Sequence, residues 1–494
     1  MKKIFLLLFV FAGFFSCTDD ITDLNEDTVN PTAVPAEFLF TNAQKNMVDQ
    51  MVSTSVNLNV FRLFMQQWTE TVYTDESNYD VSTRTIPDNH WQAIYRDVLR
   101  DLKEAKAVLA TEVYSGTPDE IATSEAERIN KGHVIDILSA YAYSVLVDTF
   151  GDIPYTEALD PLNHPLPAYD DGETIYRDLI AKLTTASNGL DTAYGSFGTQ
   201  DLIYGGDTAQ WQKFANSLRL RMAINLDDID HTYASAQAIA AVTDGVILNN
   251  SDNASLTYLS AKPNTNPIYV DVISTGRDDF VPTSTIIDKM NALNDPRRSS
   301  YFNLFNEYDI NGNITASYYV GGTPGDGNTF ANFSHIGDKI VAPSFEGTIF
   351  DAAEVEFLLA EAVERGIAVG GTAASHYTAA VTGSLQYWGV SAVDIATYLA
   401  NPSVAYATAT GPWQQKIGEQ AYLALYNRGF EAWISWRRLD YPVLVAPADA
   451  EETEVPTRLT YPAREETLNA TNVEAASVAI GGNTLTTRIF WDVN

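Results

Sequence analysis

Cysteine is almost absent: Cys17 is the only one in 494 residues. A lone thiol excludes an intrachain disulfide framework and any cysteine-based metal site. Histidine is nearly as scarce, with six scattered residues and no His-Glu-x-x-His pair, so the common zinc-hydrolase pattern is missing. There is no Gly-x-Ser-x-Gly and no glycine-rich phosphate loop, which removes the usual nucleophile and nucleotide signatures. We therefore expect no catalytic residue, no metal and no cofactor. Positive charge is also short, with 30 Lys and Arg against 64 Asp and Glu and a net charge of −34. Such a surface repels phosphate backbones, so nucleic acid is not the expected partner. No apolar run approaches the ~20 residues that a helix needs to span a bilayer.

The longest apolar run, from Ile4 to Phe15, follows Lys2-Lys3 and precedes Ser16-Cys17. A basic start, a short apolar stretch and a small residue before the cut make residues 1–17 a secretory signal. Cys17 after Ser16 is similar to a bacterial lipobox, whose thiol is acylated and becomes the first mature residue. Phe14 stands where Leu is usual. Asp19 and Asp20 are similar to the acidic tag of lipoproteins that reach the outer cell face. Loss of Lys2 and Lys3 leaves 28 basic against 64 acidic residues, a net charge of about −36. Residues 18–36 are polar and proline-marked and are expected to form a tether. Residues 37–494 are expected to fold as one mostly α-helical domain.

Helical spacing of apolar residues dominates that domain. It runs from Phe38 through Met47 and Met51 toward Trp68, then from Trp91 to Leu109 with Asp88 or Asn89 as cap. Further helices are expected over about 124–147, 173–190, 207–226, 372–389 and 411–437. Gly151 and Pro154 mark a stop, because glycine takes positive φ and proline cannot re-enter a helix. Asp207 or Thr208 caps the helix carrying Trp211, Phe214, Leu218 and Met222, and Asn216 on it is expected to hold buried loop carbonyls. The pattern is helix–turn–helix throughout, with no clean 34-residue period. Two stretches break it. Residues 70–90 form a long loop, and about 245–350 is rich in Gly, Asn, Asp, Pro and aromatics, with a short helix near 283–294. Within the second, Asn311-Gly312 between strand formers predicts a type I′ hairpin. Asp309, Asn311 and Asn313 alternate like calcium-loop ligands, but the glycine offset is wrong for an EF-hand.

Long irregular segments in compact proteins are often functional. Aromatic rings mixed with amides and charges suit sugars, since a ring face packs on C–H groups while polar side chains bond hydroxyls. On that ground Tyr73, Asn78, Tyr79 and Arg84 in the first loop, and Tyr301, Tyr308, Tyr318 and Tyr319 in the second, are candidate ligand contacts. Glu354 and Glu361 lie two helical turns apart, which invites a glycoside-hydrolase comparison. With 64 acids in the chain, structural ion pairs are the expected role, and Glu431 and Arg438 could pair across one helix face.

Several stretches resemble the SusD/RagB family of outer-membrane nutrient-binding lipoproteins. These are Trp211-Gln-Lys-Phe-Ala-Asn-Ser-Leu-Arg-Leu-Arg-Met222, Val147-Asp-Thr-Phe-Gly-Asp-Ile-Pro-Tyr155, Asn294-Asp-Pro-Arg297, Glu354-Val-Glu-Phe-Leu-Leu-Ala-Glu-Ala362 and Leu425-Tyr-Asn-Arg-Gly-Phe-Glu-Ala-Trp-Ile-Ser-Trp-Arg-Arg438. The resemblance implies a TPR-like helical solenoid with a large loop-rich insertion. It also implies an outer-membrane, lipid-anchored location facing the cell exterior. The implied function is delivery of a glycan or oligopeptide to a SusC-like TonB-dependent transporter. A surface glycoside hydrolase and a ligand-free helical scaffold are the alternatives.

Overall fold

The structure is a computed structural model that describes residues 34–493. The leader, Cys17 and most of the expected tether lie outside the described residues. The first half is helical: α1 (Ala36–Val52), α2 (Phe61–Phe64), α3 (Ile86–Ile94), α4 (Arg100–Leu109), α5 (Pro118–Phe150), α6 (Gly172–Gly189), α7 (Thr208–Asn225) and α8 (His231–Asp244). A loop-rich middle holds only α9 (Ser284–Leu293) and α10 (Arg298–Tyr301). Helices resume with α11 (Ala352–Glu364), α12 (Ala373–Tyr387), α13 (Ala392–Leu399), α14 (Trp413–Ala424), α15 (Gly429–Leu439), α16 (Ala463–Leu468) and α17 (Ala470–Ala479). From α5 to α8 each helix packs on the next, and α11 packs on α12 and α14. This is the mostly α, TPR-like stacking expected from the helix–turn–helix pattern.

Local chemistry explains the helix ends. Asp207 caps α7, its Oδ1 accepting from Ala209 N (2.9 Å) and Gln210 N (3.2 Å). Thr117 and Glu120 form a capping box that starts α5 six residues before the expected 124, and the Thr-Pro-Asp-Glu spelling was its signal. Gly151 ends α5 at φ +83°. The helix expected from Phe38 to Trp68 instead stops at Val52. There Asn59 Nδ2 donates to Gln50 O and Met51 O, and Arg62 donates to Val52 O and Ser53 O (2.8 Å each), so side chains replace the next helical turn. The cap of α3 is also not Asp88 or Asn89: the helix begins at Ile86, and the Asp88 carboxylate accepts from Ala463 N and Arg464 N. The helix expected over 411–437 is two, broken at Asn427 with φ +68°. Gly429 sits so close to Arg62 N that a Cβ would lie 2.5 Å from it.

Among the described residues, four two-stranded antiparallel ladders order the loop-rich middle, and the first joins it to the segment after α2. They are β1 (Trp68–Glu70) with β3 (Phe280–Pro282), β2 (Ala254–Leu256) with β8 (Gly347–Phe350), β4 (Phe302–Asn303) with β7 (His335–Ile336), and the hairpin β5 (Phe305–Tyr308) with β6 (Ile314–Tyr318). The hairpin falls where Asn311-Gly312 placed it, but its turn is not type I′. Only Gly312 has positive φ (+83°). Gly312 N bonds Asp309 O, and Asp309 Oδ1 accepts from Asn311 N and Asn313 N, so an Asx-stabilised turn with a bulge replaces the two-residue form.

One apolar cluster runs from Ala36 to Trp491 and includes the fully buried Trp211 and Phe214. Each such side chain contributes roughly 1.5–3 kcal/mol through burial. Ion pairs cross this core. Arg221 and Arg428 hold the two oxygens of Glu354 (3.2 and 2.6 Å), while Arg365 and Arg438 hold Glu361 (2.9 and 2.8 Å), joining α7, α11 and α15. Both glutamates thus take the structural role expected of them. Glu431 faces Arg428 at 3.9 Å, so the pairing within α15 is exchanged for pairings between elements. Asn216 Nδ2 donates to Gly245 O (2.9 Å), a loop carbonyl as expected.

Candidate ligand cleft

The two irregular segments meet because β1 pairs with β3, setting Glu70 opposite Phe280. Thr71 N continues the ladder onto Asp279 O at 2.9 Å. The residues after α1 form a third side, fixed by Arg62. Its guanidinium bonds the α1 carbonyls and Asn427 Oδ1 (3.0 Å), and it lies 5.3 Å from the Trp68 ring centroid. Burial without a close carboxylate pulls its pKa down to about 10. Between these three sides opens a cleft of about 590 Å³, its mouth included, lined by Thr54–Asn57, Glu70, Val72, Tyr73, Arg84, Asp271, Thr275, Arg277, Asp279 and Phe280. The enclosed part is about 130 Å³, below the roughly 300–1,000 Å³ typical of small-molecule sites, so a ligand larger than one ring would lie partly across its mouth.

Tyr73 is 70% exposed at the rim and holds φ +60°. A non-glycine residue in that region costs on the order of 1 kcal/mol or more, which the surrounding loop must offset. An amphipathic ring presented to water beside polar groups can pack on a sugar face. Below it the charges are organised. Arg84 Nε binds Glu76, which is fully buried, and its Nη2 reaches Asp75 at 4.0 Å. Glu70 Oε2 accepts from Ser77 N at 2.9 Å, and the Ser77 hydroxyl accepts from Glu70 N at 3.0 Å. Burial first, and the neighbouring Glu76 charge second, push the Glu70 carboxyl up to about 8. A protonated Glu70 is the natural donor for Glu76 Oε2, a buried oxygen with no other partner. Across the cleft Arg277 Nε pairs with Asp279 at 2.8 Å, and Asp271 Oδ2 accepts from Thr54 Oγ1 at 3.0 Å.

Of the residues named from sequence, Tyr73 and Arg84 come together in this cleft. Tyr79 and Tyr301 do not reach solvent, which corrects their assignment as ligand contacts. The Tyr79 hydroxyl accepts from Gln66 Nε2. Tyr301 stacks on Tyr426 at 4.4 Å and donates to Leu423 O. Asn78 is buried too, donating to Thr74 O and Gly325 O, and it braces the loop from behind. Tyr308 and Tyr318 lie on the β5–β6 hairpin and Tyr319 just after it, and none of the three lines the cleft. The sequence reading passed over Thr54, Asp271, Arg277 and Asp279. The Arg277-Asp-Asp-Phe280 spelling, two arms of charge beside an aromatic, was the available signal.

Fold and cleft together define a helical binding protein: stacked helix pairs give a rigid back, and loops supply a ring face with charged and hydroxyl groups. A family model described as SusD-like, starch-binding and associating with the outer membrane matches residues 28–462, and the chain belongs to that SusD-like family. A chitin-binding protein shares the fold with a TM-score of 0.78 at 26% identity, over 93% of this chain and 100% of that one. A chitin-binding SusD homologue from Flavobacterium johnsoniae gives 0.74 at 25% identity, over 93% and 99%. A SusD homologue from Bacteroides uniformis gives 0.77 at 24% identity, over 92% and 100%, a likeness of fold alone. No curated protein matches in sequence. The family model is described as starch-binding, and two of these three structures are described as chitin-binding. By family, then, the chain belongs with outer-membrane-associated binding proteins and not with enzymes. Among the described residues no helix is long and apolar enough to cross a membrane.

Proposed function

We propose that this protein captures oligosaccharides at the cell exterior and hands them to a SusC-like TonB-dependent transporter, held to the outer membrane by an acylated Cys17. The observation that carries the proposal is the open ring of Tyr73 in the cleft where β1 and β3 join the two irregular segments. Family membership and the chitin-binding relatives support a saccharide over an oligopeptide as the captured molecule. Capture needs no chemistry: the ring packs on the sugar face, and Arg84, Asp271 and Thr54 bond hydroxyls.

Titration calorimetry against neutral, amine-bearing and anionic oligosaccharides and a mixed peptide library tests this. Tyr73→Ala is expected to weaken saccharide binding about fivefold, in line with the ~1 kcal/mol scale of a stacked ring. Saccharide binding that ignores Tyr73, or binding of peptides alone, would refute the assignment. Stoichiometric recovery of a barrel transporter from native membranes supports the delivery step, and recovery of other lipoproteins alone counts against it.

A further inference from the structure

Arg84 and Arg277, the two cations that line the cleft, are both engaged. Arg84 is held by Glu76 and Asp75, and Arg277 by Asp279. Asp271 differs. Its carboxylate has the neutral Thr54 hydroxyl at 3.0 Å, and among the described residues no Lys or Arg nitrogen comes within the 4.0 Å of an ion pair. The group is also fixed in place: it sits on the π turn Tyr269–Ser274, and Thr275 Oγ1 donates to Asp271 O at 2.6 Å. A half-buried carboxylate facing a cleft, with Arg277 and Arg62 acting only from beyond ion-pair distance, has room for a closer cation, which would form the stronger, charge-assisted kind of hydrogen bond there.

We infer that Asp271 makes the cleft selective for saccharides carrying a free amine, over N-acetylated and anionic ones. The inference rests on the glycan reading above and names the class within it. A protonated amino group on the sugar ring pairs with Asp271 while the ring face meets Tyr73. An acetylated nitrogen offers one neutral N–H to the same oxygen, and a uronate or sulfate brings like charge toward Asp271 and Asp279. Burial raises the Asp271 carboxyl above its ordinary range, as expected for a carboxylate with only distant help from Arg277 and Arg62.

The test is titration of glucosamine, N-acetylglucosamine and uronic-acid oligomers of equal length at pH 6, with a lysine-rich peptide as fourth ligand. The glucosamine oligomer is expected to bind at least tenfold tighter than the N-acetylated one. In Asp271→Asn, which keeps an acceptor for Thr54, that ratio falls to near one. Asp271→Glu retains a ratio above one, and Tyr73→Ala weakens both oligomers while keeping the ratio. Equal affinities in the parent protein, an unchanged ratio in Asp271→Asn, or a preference for the peptide overturns the inference. The two levels separate cleanly: Tyr73-dependent binding of saccharides without an amine preference sinks only the role of Asp271. Failure of every saccharide sinks the glycan assignment as well.

Discussion

At the scale of single residues, the Glu70–Glu76 pair shows what holding the cleft wall costs. Two carboxyls share one buried corner with Arg84, so the corner has one positive charge for two acids. One proton on Glu70 resolves the conflict. In the unfolded chain Glu70 ionises near 4.5, whereas the folded protein keeps its proton to about 8. The folded state therefore binds more protons between those values, and this group's contribution to stability is full below about 4.5 and is lost as pH rises toward 8. Glu70→Gln carries a permanent donor for Glu76 Oε2 and removes that loss. Thermal unfolding should show the variant stabilised by on the order of 2 kcal/mol at pH 8.5 and little changed at pH 4.5. A stabilisation independent of pH would mean that the proton is not where the geometry puts it.

The residue scale is also where sequence was least informative. Tyr73 and Tyr79 are both tyrosines in the same loop with positive φ, yet one stands in solvent and the other is core. Nothing in their sequence neighbours separates them, because Tyr79 is buried by tertiary partners, Phe64 edge-to-face on its ring and Gln66 on its hydroxyl. Asp271 was invisible for a similar reason. Arg84 and Arg277 each pair with an acid close by in sequence, but that Asp271 faces the same cleft as Arg84 and Thr54 is decided only by the fold.

Elements were more legible, and their errors share a cause. α7 begins where Asp207 predicts, since an Asx cap acts over three residues and needs no tertiary partner. The long helix expected from Phe38 to Trp68 fails because Arg62 and Asn59 satisfy the α1 carbonyls from outside the period. These two kinds of helix end should respond differently to substitution. Asp207→Ala removes one local cap and is expected to cost about 1 kcal/mol, with ligand affinity unaltered. Arg62→Met exposes three acceptors, Val52 O, Ser53 O and Asn427 Oδ1, in a buried place. It should cost about 2–4 kcal/mol and also weaken binding, because Thr54–Asn57 loses its support. Denaturant titration with calorimetry on both variants checks the contrast. Equal costs, or intact affinity in Arg62→Met, would show that the rim is fixed by something else.

At the scale of the whole molecule, repeat-like stacking was evident from helical spacing, while the placement of the loop-rich middle was not. The β1–β3 ladder joins that middle to the rest and three more order it within, and strands of two to five residues carry too little periodicity to announce their partners. The stacked helices give the cleft a stiff back, and among the described residues no helix is long and apolar enough to cross a membrane. With 64 acids against 30 bases, the protein's surface is repelled by anionic headgroups and cannot stay bound by charge. On the function proposed above, attachment is the task of an acylated Cys17. A single acyl chain binds a bilayer only marginally, whereas two or three chains, at ~0.8 kcal/mol per buried CH₂, hold a protein durably. Cys17→Ser should therefore move the protein from the outer-membrane fraction to the soluble fraction while leaving the affinity of the purified body for saccharides intact. Fractionation followed by calorimetry reads both halves of that expectation. Retention of the serine variant in the membrane would assign the anchor to the protein partner instead of the lipid, and loss of saccharide affinity would mean that the leader region shapes the cleft.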